Sequence, residues 1–166
     1  MINIEIASQI IMRPKMMVAG MKWIKKLNRG DGAWYQFDSA FHYQDDSLEV
    51  PEGLIIRGLW KPNIADRPSN YTFGLFVGSS HIYAIHVNPS GRHKNTIGKN
   101  RPFHGQTISG IHEHTWSSDG GYGYAEPLNG YDIGDIEKGW KMFAERTNLL
   151  QADFTPPEEA RQGRLL

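Results

Sequence analysis

The chain has 166 residues, with 18 Lys plus Arg against 18 Asp plus Glu, 39% hydrophobic residues and no cysteine. That length suits one domain with a full core; net neutrality excludes a general polyanion-coating protein, and the lack of cysteine excludes disulfides and thiolate metal sites. No apolar run approaches a membrane span, and the N-terminus carries Glu5 and lacks a basic n-region, so a cytoplasmic protein with no membrane or secretion segment is expected.

Met1 to Val18 is apolar, methionine-rich and broken by Pro14. Ile2, Ile4 and Ile6 alternate as in a strand, while Ile6, Ile10 and Met17 fit one helical face, so both readings stand. Met21 to Leu27 reads as a strand, Asn28-Arg29-Gly30-Asp31-Gly32 as a turn, and Trp34 to Tyr43 as the partner strand. His42 lies among aromatics there and is read as structural. Asp45-Asp46-Ser47 is a loop, Leu54 to Trp60 a strand, and Lys61 to Asn70 a linker rich in Pro, Asn and Asp.

Tyr71 to Leu128 holds six of the seven histidines. Tyr71–Val77 and Ile82–Val87 are rich in aromatic and β-branched residues around Gly78-Ser79-Ser80, which reads as a β-hairpin. His86 falls on the strand face opposite Tyr83, Ile85 and Val87. Asn88-Pro89-Ser90-Gly91 turns the chain into a polar loop about twenty residues long carrying Arg92, Lys94, Lys99 and Arg101. Ile108 to Trp116 reads as the next strand, with His112, His114 and Trp116 on one face and Glu113 on the other. Ser117 to Gly121 is a turn, and Tyr122 to Leu128 is a strand placed at a sheet edge because Pro127 cannot donate to a ladder. Asp132 is positioned to cap a helix running to about Asn148, with Ile133, Ile136, Trp140 and Phe143 as its apolar stripe. Gly139 weakens that helix by about 1 kcal/mol relative to alanine. The expected architecture is α+β: an antiparallel β-meander of five to seven strands with a C-terminal helix on one face. Residues 1–150 form the single domain and 151–166 a polar tail.

His86-Val87-Asn88-Pro89-Ser90-Gly91, Gly110-Ile111-His112-Glu113-His114 and Gly121-Tyr122-Gly123-Tyr124-Ala125-Glu126-Pro127-Leu128 precede an amphipathic helix. In order and spacing, this half of the chain (75–150) resembles a family of small uncharacterised prokaryotic proteins with a His-x-Asn-Pro-Asp-Gly turn, a His-x-His strand and a Gly-Tyr-Gly…Pro-Leu segment. Ser90 stands where that family usually has an acidic residue, and the loop before His112 is unusually long. The resemblance implies a toxin-like or defence-related role in mobile elements beside antitoxins, and no established activity.

Three functions compete. The first is metal-independent ribonuclease chemistry, with His112 and His114 as acid and base, His86 as a third partner, Arg92 and Lys94 on phosphate, and Trp116 or Tyr122 stacking a base. It needs no cofactor, and protein purified without added metal is expected to hold less than one zinc, iron or manganese per chain. The second is a cupin-like metal site, His112-x-His114 followed by Asp119 and completed by His86, His93 or His104. The third is a non-enzymatic binding module, such as an inhibitor carried by a phage or other mobile element, in which the histidines are incidental. RNA, or a protein partner such as an antitoxin or defence component, is the expected partner of the first and third.

Overall fold

The structure is a computed structural model that describes residues 2–28, 32–46, 50–62, 69–131, 133 and 135–158. In the ambiguous N-terminal stretch the helical reading holds for Ile6 and Ile10, the strand reading of Ile4 and Ile6 does not, and Met17 lies beyond the helix in a strand. Helix α1 spans Ile4–Met12, and the Asn3 side chain caps it by accepting from Ile6 N at 2.8 Å. Pro14 follows, and strand β1 (Lys15–Met17) begins directly. Then come β2 (Ile24–Asn28), β3 (Gly32–Ser39), β4 (Phe41–Tyr43), β5 (Leu54–Lys61), β6 (Asn70–Val77), β7 (Ser80–Val87), β8 (Arg92–Lys94), β9 (Thr107–Ser109), β10 (His112–Ser117), β11 (Gly121–Pro127) and α2 (Ile136–Arg146).

Seven strands form one antiparallel sheet in the order β11-β10-β7-β6-β5-β3-β2. The fold is therefore α+β, a seven-stranded meander with a C-terminal helix, and β11 is an edge strand. The expected strand 34–43 breaks at Ala40, and its second half, β4, pairs with β1 instead. The expected loop after β7 is largely ordered: β8 and β9 pair as a ribbon, with His93 opposite Ile108. Gly110, at φ +76°, separates β9 from β10, so the expected strand 108–116 is two strands.

The core lies between the sheet and α2. Tyr71, Phe73, Tyr83 and Ile85 point towards Trp140 and Phe143, with Phe73 and Trp140 ring centroids 5.1 Å apart. Asp135 caps α2 by accepting from Glu137 N, while Asp132, the expected cap, lies outside the described residues. Lys15 joins the two helix C-termini, donating to Ile11 O and Thr147 O. Ala152 and Phe154 pack on the core, and Trp140 Nε1 donates to Ala152 O, so packing continues past residue 150. Among the described residues, no helix is long and apolar enough to cross a membrane.

Candidate metal centre

The opposite sheet face, at β7 and β10, carries the histidines. His112 pairs directly with His86 across the ladder, and His114 pairs with Ala84 two residues along. Ala84 opposes Gly74 in the neighbouring ladder, and the Phe76 ring lies over Gly74, where a Cβ would fall 2.5 Å from it. One nitrogen each from His86, His112 and His114 falls within a single 4.8 Å span. His112 and His114 are 4% exposed, and His86 is half-buried.

Two further imidazoles join that are absent from the catalytic set expected above. Strand parity places His81 with Tyr83, on the core face. But Leu75 pairs with Tyr83 and Phe76 with His81, which leaves Ile82 as an extra residue. This bulge turns His81 onto the histidine face, where its ring centroid lies 5.5 Å from His86 and 5.6 Å from His114. His93 arrives from the β8–β9 ribbon, 4.6 Å from the His114 ring. Its Nε2–H donates to Gly123 O at 2.6 Å. Gly123, at φ +110°, sits in a bulge where Tyr122 and Gly123 together oppose Trp116, so its carbonyl is out of the regular ladder. His104 is exposed and bonds Ile97 O, away from the cluster.

The hydrogen bonding is incomplete. His112 Nδ1–H donates to Gly110 O at 2.8 Å, which turns its Nε2 lone pair inward, 3.1 Å from His114 Nε2. His81 Nδ1, His86 Nε2 and His114 Nδ1 are buried without a protein partner. An orphaned buried nitrogen costs about 1–3 kcal/mol. Burial, reinforced by the surrounding imidazoles, pushes the pKa of His86 down to about 3 and that of His114 down to about 2. Burial also lowers His81 and His112, so these four rings are neutral at pH 7.

The rings line a pocket of about 280 Å³ together with Asn88, Arg92 and Tyr122. Arg92 and Tyr122 thus sit where a substrate would meet the histidines. Lys94 is exposed and outside the pocket lining. Trp116 packs on the apolar core and lines a neighbouring cleft, with no contact to the histidine rings among the described residues. Arg101 is also unavailable for phosphate: its guanidinium bonds Glu126 at 2.7 Å and lies over the Tyr124 ring. The cupin-like set fails at its acidic member. Asp119 accepts from Gly98 N, Lys99 N and Ser117 Oγ, which holds its pKa far below the usual carboxylate range. Glu113 lies on the core face, bonded by Tyr83 Oη. Among the described residues the cluster is imidazole alone. The chain matches no protein-family model, and neither the curated proteins nor the solved structures contain a match.

Proposed function

We propose that the chain is a metal-dependent hydrolase of phosphate esters, RNA among them, whose centre is a divalent transition-metal ion held by His86, His112 and His114. The observation that carries this is the convergence of three neutral imidazoles whose ligand atoms lie within 4.8 Å of one another, with His86 Nε2 buried and unpartnered by protein. Zn–N bonds of about 2.0–2.1 Å in a tetrahedral shell put ligand nitrogens about 3.3 Å apart. The His112–His114 Nε2 separation of 3.1 Å already fits. Metal-bound histidines commonly donate their other ring N–H to a carbonyl, which His112 does to Gly110. Imidazole suits zinc, iron, copper and nickel, and three protein ligands with an open position is a catalytic arrangement. Such an ion would supply Lewis acidity and an activated water. The protein's own residues would hold the ion, keep the ligands deprotonated and bring Arg92 into the pocket lining.

Two observations weigh against the other expectations. Unassisted acid–base cleavage needs one imidazolium and one imidazole near neutral pH, yet the rings of His86, His112 and His114 are all neutral there. A binding module has no need to converge three buried imidazoles and leave His86 Nε2 unpartnered among them.

The test is titration of metal-free protein with Co(II), followed by its visible absorption. One equivalent should saturate a nitrogen-ligand spectrum, and zinc should displace it. His112→Ala and His86→Ala should abolish the spectrum while circular dichroism stays native. Loaded wild type should cleave bis(p-nitrophenyl) phosphate. A folded wild type that takes up neither cobalt nor zinc would end the proposal.

A further inference from the structure

Beside the histidine pocket lies a larger cleft of about 810 Å³, lined by Ile2, Val77, Ser80, Trp116, Ser118 and Tyr122 among others. Tyr122 lines both spaces. The residue is 46% exposed, and its ring stands edge-on to His81, at 5.8 Å and 90°. Trp116 is half-buried: it packs on the core, its six-membered ring lies so close to Gly121 that a Cβ there would sit 3.2 Å away, and its remaining surface lines the cleft. A tryptophan fixed in this way is a stacking surface whose ordering cost is already met by the fold. Ser80 and Ser118 add hydroxyls to the lining. On the other side of the histidines, exposed Arg92 and Lys94 flank His93 on β8, and Arg92 reaches the pocket lining.

The sequence of chemistries is therefore cations, histidine pocket, exposed tyrosine, then a broad aromatic cleft. A small phosphate ester would fill only the pocket. We infer that the two spaces together take a nucleoside phosphate, with its phosphate at the histidines and Arg92, and its base in the Trp116 cleft beyond Tyr122. The phosphate half rests on the metal-centred reading above; the base half rests on the cleft alone. A base inside a duplex is already stacked, so the ligand is a free nucleotide or a residue of a single strand.

The experiment is calorimetric titration of zinc-loaded full-length protein, with metal content measured on the same sample. The ligands are inorganic phosphate, ribose 5-phosphate, AMP and a single-stranded adenosine hexamer. AMP should bind more tightly than ribose 5-phosphate. Stacking on one aromatic contributes about 5- to 150-fold per base, so Tyr122→Ala or Trp116→Leu should lower the ratio of AMP to phosphate affinity by that order. Tyr122→Ala changes an exposed side chain and keeps the test open if Trp116→Leu fails to fold. A hexamer that binds more tightly than AMP identifies a single strand as the source, and equal affinities identify a free nucleotide. AMP no tighter than ribose 5-phosphate on metal-loaded protein overturns the base cleft and leaves the metal centre standing. If zinc is not retained, the metal reading fails, and the AMP comparison on metal-free protein still decides the cleft: no preference there overturns it too.

Discussion

His86→Leu should stabilise the metal-free protein. In the native structure His86 Nε2 is buried with no partner, and its ring lies 4.4 Å from His114 and 5.3 Å from His112, centroid to centroid. Its pKa near 3 makes it neutral at pH 7, so no ion pair is lost with it. Leucine is of similar size, packs on Ala84 and the neighbouring rings, and removes one orphaned nitrogen, which costs about 1–3 kcal/mol. Unfolding entropy of about 2.1 cal/mol/K per residue makes 1 kcal/mol worth about 3 °C in a chain of 166 residues. The melting temperature in chelator should therefore rise by about 3–9 °C. Zinc at a hundredfold excess over its Kd should add about 2.7 kcal/mol to the wild type, about 8 °C, and close to nothing to the variant. Differential scanning calorimetry with chelator and with zinc reads both shifts. If metal-free His86→Leu melts several degrees below wild type, His86 is an ordinary structural residue, and the argument from unpartnered nitrogens is refuted.

Three further outcomes follow from particular contacts. Gly139→Ala should destabilise the protein although alanine favours helix by about 1 kcal/mol, because its Cβ would fall 2.0 Å from Tyr71 Oη and overpacking costs about 1–3 kcal/mol; urea midpoints should show the penalty shrinking in a Tyr71→Phe background, and a more stable Gly139→Ala would contradict it. Burial lowers the Lys15 pKa to about 7 in the folded chain, below its unfolded value of about 10.4. The unfolded chain then binds the extra proton between these values, so this lysine makes stability rise from pH 7 to 10, by at most on the order of 4 kcal/mol; denaturation across that range should show the slope, and Lys15→Met should flatten it. The depressed pKa values of His86 and His114 mean that protons compete weakly for the ligands, so cobalt should stay bound below pH 6.5, where ordinary imidazoles release it; a release midpoint above 6.5 in the absorption titration would count against this ligand set.

The amino-acid sequence by itself determined the local pattern. The β-branched and aromatic runs around Gly78 specify the β6–β7 hairpin, and Pro127 marks β11 as an edge strand. Period-two alternation places His112 and His114 together and sends Glu113 to the core face, because successive residues of any regular strand must diverge. The spacing of Trp140 and Phe143 similarly reports the buried side of α2. Tertiary structure decided what interrupts that regularity. His81 reaches the cluster only through the extra residue at Ile82, and a bulge depends on how two strands register, which no single strand records. His93 arrives because three residues of β8 pair with β9 across an intervening segment. Arg101 and Asp119 look available in sequence, but the first is taken by Glu126 and Tyr124 and the second by backbone N–H groups at Gly98 and Lys99. Whether five imidazoles share one pocket, and whether their nitrogens find protein partners, depends on contacts between residues far apart in the chain. Those contacts are set only when the sheet closes and the ribbon folds over it.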